Sequence, residues 1–560
     1  MEYTRQDIDW FSEKQNSLEF DRFKRRPVVY FCAEYALSPL IPSYSGGLGI
    51  LAGDFVREAH DRKLPFMAIG LYYYEGYICD EQGNHRECRI TDPQTVGFSP
   101  ALNEQGERII VTVPIGERIV KAQAWLYEKG SIKVYFLDTN LEENHAEDRI
   151  ITNRLYVGDK TIRIKQEIVL GIGGMRLLKA LGVHPLVYHL NEGRSAFLAF
   201  ELIKHEMIAR DLSFDEAGQF ARRRMVVTNH TLVPAANEVY EAEMFISFFM
   251  RYAEEVGINV RDLFKLGLIE ESNSFSMSIF SLRMAGIING VSRLHSDKAR
   301  EIWPQYPMTS ITNGIHIETW DCVGERLNQP GDFWEIHQSK KRELLALIKQ
   351  NTGVVWSEND LLIGWARRFA LYKRPLALLD DLKAFLELNE NKDRPVRVVF
   401  SGLPHPEDKE AQAVLAKLQH MIANELSGQV VYLEHYNMTL AKKMLAGTDV
   451  WLNTPIVGFE ACGTSGMKAA LNGSLPCSTK DGWVAEAELY GIGWVLESGS
   501  VTQSALNTIK KEIIPMYYNK DPKLGYSTVW EEHMRNARVM VLKQFSATRM
   551  LREYVEMLYM

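Results

Sequence analysis

Lys468 is the single lysine in a run of small residues, NTPIVGFEACGTSGMKAALNGS, that reads as a strand end followed by a helix. A strand-like segment, DVWLNT, precedes the run, and a helix-like segment, GMKAALNG, carries the lysine. Between them, Gly463, Thr464 and Ser465 let backbone amides approach a ligand closely, and a helix start behind such a loop favours an anion. Lys468 is therefore a candidate phosphate clamp or Schiff-base amine, with an exposed lysine on a capped helix as the alternative.

Three further cations stand close together in the segment ARRFALYKR: Arg367, Arg368 and Lys373. Arginine binds phosphate through a planar fork, and lysine binds it as a point charge. Together with the glycine amides of GGLG and GTSG, these cations exceed what one phosphate needs. The excess predicts two anionic groups held near each other, with a solvated basic face as the alternative.

Glu460 and His230 are the candidates for contacts to something uncharged. Glu460 stands beside the Gly-rich loop and could accept hydrogen bonds from sugar hydroxyls. His230 follows a predicted strand, where a structural histidine is the alternative. The sequence has no convincing carboxylate pair of a glycosidase and no G-x-x-x-x-G-K-[ST] motif of a P-loop.

The second half of the chain alternates between buried strands and amphipathic helices, which predicts a parallel sheet covered on both faces. The predicted strands are LLIGWAR, VRVVFSG, QVVYLEH and DVWLNT. The predicted helices between them are KRPLALLDDLKAFLEL, EDKEAQAVLAKLQHMIANEL and MTLAKKMLAG.

The first half follows the same plan with additions. Its predicted core strands are VVYFCAEY, FMAIGLYY, LVYHLNE, MVVTNHT, INGVSRLH and TSITNGI. TIRIKQEIVLGIGGMRLLKALG reads as a helix, and residues 106–138 alternate as antiparallel strands do. We therefore predict an α/β protein with two doubly wound domains, 1–315 and 316–560. The sequence does not place the last helix-like stretch, NARVMVLKQFSATRMLREYVEMLY.

The polar and Gly-rich clusters of both halves follow predicted strands. In open α/β sheets, ligands bind outside the carboxyl ends of the strands. The clusters are SYSGGLG, HLNEGR, TNHT, ITNG, ARRFALYKR and FEACGTSGMK. Six clusters at equivalent ends of two sheets predict one cleft between two domains.

Composition excludes several classes of function. At 560 residues, the chain is long enough for two or more domains, and its net charge of −8 argues against a nucleic-acid binder. The first twenty residues lack the apolar core of a signal peptide, and no apolar run is long enough to span a bilayer. The six cysteines are scattered, which favours the cytoplasm. Cys79, His85 and Cys88 match no common zinc pattern, so we predict no metal.

With these motifs in place, the chain resembles the α-glucan phosphorylases, the glycogen and maltodextrin phosphorylase family, in a short form. The segments that carry the likeness stand in the family's order: YSGGLGILAGD, HLNEGRSAFLAFE, TNHTLVPA, NGVSRLH, ITNGIHIETW, ARRFALYKR and EACGTSGMKAALNG. The likeness covers residues from about 27 to about 496, and its last motif is highly specific. It implies two Rossmann-like domains that face a central cleft, the GT-B arrangement.

The resemblance also implies a reaction and a cofactor. The reaction is reversible phosphorolysis of an α-1,4-glucan or maltodextrin by inorganic phosphate, which gives α-D-glucose 1-phosphate with retention. The cofactor is pyridoxal 5′-phosphate, held by Lys468 as a Schiff base, with its phosphate relaying a proton to the substrate phosphate. Two phosphates would explain the excess of cations. A homo-oligomer is compatible with the family.

Site residues carry over from the family one by one. The catalytic set is Lys468, Arg368, Lys373 and His230. The cofactor set is Lys468, Arg367, Lys373, Thr464, Ser465, Tyr436 and Trp320. The substrate set is Glu460, Gly463, Asn313, Tyr372, Gly47 and Arg194, of which Gly47 offers a backbone amide to phosphate.

This sequence departs from the family at four positions. Arg194 stands where histidine is usual, Cys462 replaces a serine, Asn437 replaces an arginine, and Ala36 replaces a tyrosine of the long forms. Arg194 changes both volume and charge, so it bears on acceptor specificity, with a structural salt bridge to a nearby carboxylate such as Glu192 as the alternative. We also expect the amino-terminal regulatory region of the long forms to be absent, so that control by phosphorylation or nucleotides does not carry over.

Two other functions stay open at this point. A sugar-nucleotide-dependent retaining glucosyltransferase of the same architecture would need a nucleotide pocket and no covalent cofactor, and the Lys468 motif argues against it. A non-catalytic glucan-binding relative would have lost catalytic residues, whereas Lys468, Arg368, Lys373 and Glu460 are all in place.

Overall fold

A computed structural model describes residues 5–38, 41, 43–76, 88–89, 92–232, 238–324, 327, 329–405 and 408–560. The chain forms two compact units. The first contains Asp7–Val291, Ser296–Ile311 and Leu551–Met560, and the second contains mainly Thr312–Met550. Within the described residues, we find no helix whose length and apolar character would let it cross a membrane.

The first unit is built on a ten-stranded sheet. Its main path runs in the order Thr309–Ser310, Ile287–Gly290, Met225–Asn229, Val187–Asn191, Val28–Phe31, Phe66–Leu71, Ile132–Asp138, Arg118–Lys129 and Phe98–Pro100, and Ile110–Ile115 also pairs with Arg118–Lys129. All pairings from Thr309–Ser310 through Ile132–Asp138 are parallel, and the remaining ones are antiparallel. The antiparallel strands near the predicted insertion therefore extend the same sheet, through Ile132–Asp138.

Two smaller sheets accompany this sheet. One contains Val239–Glu241, Leu268–Ile269 and Ser274–Ser276, and the other pairs Glu75–Gly76 with Cys88–Arg89. The α-helices of the first half are Arg5–Lys14, Leu18–Arg25, Gly47–Asp61, Ala146–Arg149, Lys160–Ile168, Gly174–Ala180, Leu198–Arg210, Phe214–Arg222, Ala242–Val256, Val260–Lys265, Met277–Met284 and Arg293–Ile302.

The last ten residues of the chain belong to the first unit. The predicted domains, 1–315 and 316–560, instead assign these residues to the second domain. Polar contacts explain their place. The hydroxyl of Tyr559 lies 2.6 Å from Nδ1 of His189, and the amide of Asn289 donates to the hydroxyl of Tyr554 at 2.9 Å. These groups are buried, so each tyrosine hydroxyl supplies a hydrogen bond to a polar atom that water does not reach.

The second unit is built on a six-stranded, fully parallel sheet. Its order is Val430–Leu433, Val396–Ser401, Leu361–Ala366, Val450–Asn453, Leu475–Thr479 and Trp494–Leu496. Numbered along the chain, this is 3-2-1-4-5-6, the order of doubly wound sheets that bind ligands where the order reverses. The parallel strands of the first unit reverse in the same way, between Val28–Phe31 and Val187–Asn191.

The α-helices of the second half are Ile317–Trp320, Asp332–Thr352, Leu382–Glu387, Lys409–Asn424, Met438–Gly447, Thr464–Leu471, Val501–Thr508, Ile514–Tyr518, Thr528–Gln544 and Ala547–Tyr554. The predicted helix over residues 373–388 is wrong in its first half. Arg374 has a left-handed φ of 46°, and its guanidinium donates to the carbonyls of Thr454, Pro455 and Ser498. The helix begins only after Asp381, whose side chain caps it.

A fully buried ion pair joins a helix of the second unit to its sheet. Nζ of Lys341 donates to Asp449 at 2.6 Å and to the hydroxyl of Tyr517 at 2.8 Å, and both charged side chains are 0% exposed. His337 lies 3.0 Å from the other carboxylate oxygen. Burial alone would raise the pKa of Asp449, but Lys341 and His337 outweigh it and hold that pKa below its usual range.

Lys341→Met should lower the free energy of unfolding by about 3–5 kcal/mol, because Asp449 would stay buried without its cation. Lys340→Met is the matched control: Lys340 lies on the same helix and pairs with Glu343 at the surface, so about 0.5 kcal/mol or less is expected. Urea-induced unfolding followed by tryptophan fluorescence measures both. Equal effects of the two substitutions would contradict a stabilising role for the buried pair.

Candidate active site

The main site cluster of the second unit lies where the strand order of its sheet reverses. The loop after Leu361–Ala366 carries Arg367 and Lys373, and the loop after Val450–Asn453 carries Glu460. These two strands are neighbours and parallel, so both loops leave the sheet at the same edge. The structure thus brings together residues that are about ninety positions apart in sequence.

Lys373 and Glu460 form the central contact of this cluster. Nζ of Lys373 donates to Oε2 of Glu460 at 2.6 Å, and a guanidinium nitrogen of Arg367 lies 3.7 Å from the same oxygen. Burial alone would raise the pKa of Glu460, but Lys373 and Arg367 outweigh it and lower that pKa. Burial lowers the pKa of Arg367, and Glu460 opposes that change. One carboxylate therefore stabilises two buried cations.

The turn after Leu475–Thr479 holds the loop that carries Glu460. The carboxylate of Asp481 accepts the amide N–H of Glu460 at 2.9 Å. Gly482 has a φ of +53°, and a Cβ there would lie 2.2 Å from the carbonyl oxygen of Cys462, so only glycine permits this approach. The sequence motifs do not include Asp481, although it follows a strand as the polar clusters do.

Lys468 lies in the helix that starts directly behind this loop. Gly463 precedes the helix in a left-handed conformation, with a φ of +82°. The side chain of Lys468 is 5% exposed, and its Nζ lies 3.9 Å from the ring centroid of Trp320, a favourable cation–π position. The plain exposed lysine considered from the sequence is therefore wrong.

The same helix offers contacts for an anion. Ser465 stands three residues before Lys468, so the two share a helix face, and its hydroxyl accepts a hydrogen bond from Arg367 at 3.1 Å. In the part of the chain that the structure describes, no side chain caps the start of this helix. Within the described residues, the buried Nε of Arg367 has no hydrogen-bond partner. A buried amine, a free guanidinium N–H and a helix start form a donor set that fits a phosphorylated aldehyde.

The remaining predicted residues of the second unit occupy different environments. Arg368 is exposed, and Thr464 is half-buried. The hydroxyl of Tyr436 donates weakly to the carbonyl of Ala366, at 3.4 Å. The ring centroid of Tyr372 lies 4.9 Å from Nζ of Lys373. Asn313 is buried, and its Oδ1 has no hydrogen-bond partner among the described residues.

In the first unit, Gly47 opens the helix Gly47–Asp61 at the reversal point of the sheet. The buried carboxylate of Glu34 holds the preceding loop, since it accepts the amide of Ser45 at 2.8 Å and the hydroxyl of Tyr156. A Cβ on Gly49 would lie 2.8 Å from that carboxylate. The sequence alone does not indicate Glu34, because its partners Ser45 and Tyr156 lie 11 and 122 positions away.

Arg194 pairs with a different carboxylate from the one considered in the sequence. Its guanidinium donates to Glu238 at 3.3 Å and lies 4.7 Å from the ring centroid of Tyr156. Burial alone would lower its pKa, but Tyr156, Glu167 and Glu238 outweigh this and raise it. Arg163 also donates to Glu238, at 3.0 Å, so two arginines share one carboxylate.

His230 and Glu192 form a separate group in the first unit. The amide of His230 donates to the carboxylate of Glu192 at 2.8 Å, and Nε2 of His230 lies 2.6 Å from Oδ1 of Asn191. Burial raises the pKa of Glu192 to about 7, although the His230 amide and Arg194 act in the opposite direction. Glu192 also has a left-handed φ of 75°, a strained conformation for a residue with a side chain. Of the cysteine and histidine residues weighed as metal ligands, Cys79 and His85 lie outside the described residues, and so does the side chain of Cys88.

Comparisons with known proteins agree with the motifs. A family model for carbohydrate phosphorylases matches residues 317–529. Maltodextrin phosphorylase of Thermococcus litoralis is 36% identical, over 100% of this chain and 72% of its own length. Glycogen phosphorylase of Aquifex aeolicus is 30% identical, over 96% of this chain and 86% of its own length. Glycogen phosphorylase of Mycobacterium tuberculosis is 30% identical, over 98% of this chain and 72% of its own length.

Glu460→Gln should lower the free energy of unfolding by about 1–3 kcal/mol at pH 7, because two buried cations lose their counter-charge. The lowered pKa of Glu460 sets the pH dependence: the carboxylate stabilises fully above about pH 5 and loses this effect as pH falls through its pKa. The difference between parent and variant should therefore be largest near neutral pH and shrink in acid. Inorganic phosphate should raise the melting temperature of the variant more than that of the parent.

Differential scanning fluorimetry across pH and phosphate concentration measures these effects. Glu425→Gln is the control, since Glu425 is exposed at the end of the helix Lys409–Asn424. If the melting temperature of Glu460→Gln equals that of Glu425→Gln at every pH, Glu460 does not balance the cations.

Proposed function

The chain belongs to the carbohydrate phosphorylase family, and we propose that it catalyses the reversible phosphorolysis of α-1,4-glucans. The products are α-D-glucose 1-phosphate, with retention of configuration, and a glucan shortened by one unit. The observation that carries this proposal is the cluster of Arg367, Lys373 and Glu460 beside the buried amine of Lys468. We also propose the GT-B class for the chain, and the two units support this proposal because each contains a doubly wound set of parallel strands.

We assign the substrate phosphate to Arg368 and Lys373, with the amide of Gly47 as a further donor. Arg368 is exposed, so its guanidinium is accessible to a ligand. Lys373 is only 8% exposed and already bonded to Glu460, so an incoming phosphate would compete with that carboxylate. A dry site strengthens such charge-assisted contacts and orients the phosphate for attack.

We assign the glucosyl unit to residues that can exchange hydrogen bonds with hydroxyls. They are Glu460, Gly463, Asn313, Tyr372 and His230. Asn313 supports this assignment most directly, because its Oδ1 is buried and unpartnered in the described part of the chain. The carboxylate of Glu460 can accept a hydrogen bond from a hydroxyl through Oε1 while Oε2 contacts Lys373, and Gly463 offers a backbone amide.

We propose that Lys468 holds pyridoxal 5′-phosphate through its amine. Arg367, Lys373, Thr464 and Ser465 would bind the cofactor phosphate, and Tyr436 and Trp320 would enclose the ring. When bound, this group supplies a phosphate monoester with a pKa of about 6, which can both give and take a proton near neutral pH. The position of the Trp320 ring against the amine supports this assignment.

We also propose a cytoplasmic location. Cys32, Cys322, Cys462 and Cys477 are free thiols, and burial raises the pKa of Cys32 and Cys477 to about 12. Buried protonated thiols fit a reducing compartment.

Lys468→Ala should give folded protein that neither retains pyridoxal phosphate nor releases glucose 1-phosphate from maltodextrin. Absorbance spectra before and after borohydride report the cofactor, and circular dichroism reports the fold. Lys442→Ala is a matched control, because its ammonium also lies over the Trp320 ring, at 5.8 Å, without the buried position of Lys468. Reducible cofactor on the Lys468→Ala protein would refute the assignment.

Arg194→His tests whether this position shapes the acceptor side. Glu238 pairs with both Arg194 and Arg163, so it offsets the charge of Arg194 only in part, and the substitution changes both the charge and the volume at this position. The expected result is a changed preference along a ladder of maltooligosaccharides at unchanged cofactor content. An unchanged preference with a lower melting temperature would leave the ion pair with Glu238 as the whole role of Arg194.

A further inference from the structure

Apolar side chains form an exposed lip beside the Lys373–Glu460 pair. The apolar lip consists of Leu371, Tyr372, Ile456, Val457 and Phe459. Leu371 and Phe459 are 50% and 52% exposed, and Ile456 and Val457 are 40% and 41% exposed. These residues come from the same two loops that supply Lys373 and Glu460.

Hydrogen bonds fix the two loops against each other. The amide of Ile456 donates to the carbonyl of Tyr372 at 2.8 Å, and the hydroxyl of Thr454 donates to the carbonyl of Lys373 at 3.1 Å. The rings of Tyr372 and Phe459 are nearly parallel, at 29°, with centroids 6.3 Å apart. The apolar lip is therefore an ordered surface.

Exposed apolar residues that lie singly need no explanation, but a contiguous group indicates a binding surface. Val355 and Tyr490 are more exposed than any member of the apolar lip, yet each precedes a strand rather than following one. The apolar lip, in contrast, adjoins the ligand-binding edge of the sheet.

The neighbours of the apolar lip identify its ligand. Phe459 is followed directly by the carboxylate of Glu460, and the ammonium of Lys373 lies over the ring of Tyr372. A flat aromatic face beside hydrogen-bonding groups suits a pyranose ring, which has apolar C–H faces and a rim of hydroxyls. A phosphate alone would not use the apolar side chains.

We propose that the apolar lip is a stacking platform for the glucan, on which Phe459 packs against a glucose unit next to the one that Glu460 contacts. The proposal rests on the proposed function for the role of Glu460. It explains why a large aromatic side chain is exposed beside a buried ion pair, since the bound glucan would cover it.

Phe459→Ala should weaken the binding of maltoheptaose to the holoenzyme by about three- to tenfold, the loss expected for one aromatic stacking contact. Phe459→Trp should bind within about twofold of the parent, because the aromatic face is kept. Calorimetric titration without phosphate measures both, and the KM for phosphate should stay unchanged. Cofactor absorbance confirms that each variant is loaded.

Tyr490→Ala is the control, because it removes a highly exposed aromatic ring at the opposite edge of the sheet. The proposal is overturned if Phe459→Ala binds maltoheptaose like the parent, or if Tyr490→Ala weakens binding equally. The proposed function fails separately, if the loaded parent releases no glucose 1-phosphate from maltodextrin and phosphate. Binding of maltoheptaose tests the apolar lip in either case.

Discussion

Burial of positive charge is the constraint on which the candidate site depends. Arg367, Lys373 and Lys468 are each less than a tenth exposed, and an isolated buried charge is costly. Glu460 contacts the first two, and the face of Trp320 attracts the third. One carboxylate cannot neutralise three cations, so the site keeps a positive surplus in a dry setting. Such a surplus favours the binding of phosphate groups, which is the role that we propose for the site, and the rest of the unit has to hold the cations in place.

The second unit holds these cations in place through the backbone geometry at the point where its strand order reverses. Adjacent parallel strands place Arg367 and Lys373 on one loop and Glu460 on the other. The second loop can reach Lys373 because Asp481 accepts its amide and because Gly482 lets a turn approach Cys462 closely. The electrostatic balance thus depends on a turn that carries no residue of the cluster itself.

The sequence predicts the strands well, because buried parallel strands are short apolar runs between glycines and polar clusters. It fails where tertiary contacts override local preference. Residues 373–381 read as helical, yet the hydrogen bonds of Arg374 to three carbonyls hold the chain in a turn. The end of the chain could not be placed from sequence, since its hydroxyl contacts to His189 and Asn289 join residues hundreds of positions apart.

The residues of the candidate site also fall into those that the sequence predicts and those that it does not. The rule that polar clusters follow strands finds Arg367, Lys373, Glu460 and Lys468, because each lies near a strand end. It does not find Glu34 or Glu238, whose importance comes from partners distant in sequence. Arg194 is an example. As a single departure from the family pattern it suggests a new charge at the site, but its guanidinium already donates to Glu238 and lies over the ring of Tyr156. Because Glu238 also pairs with Arg163, it offsets the charge of Arg194 only in part, so Arg194 adds a partly balanced charge together with the volume and rigidity of a paired side chain.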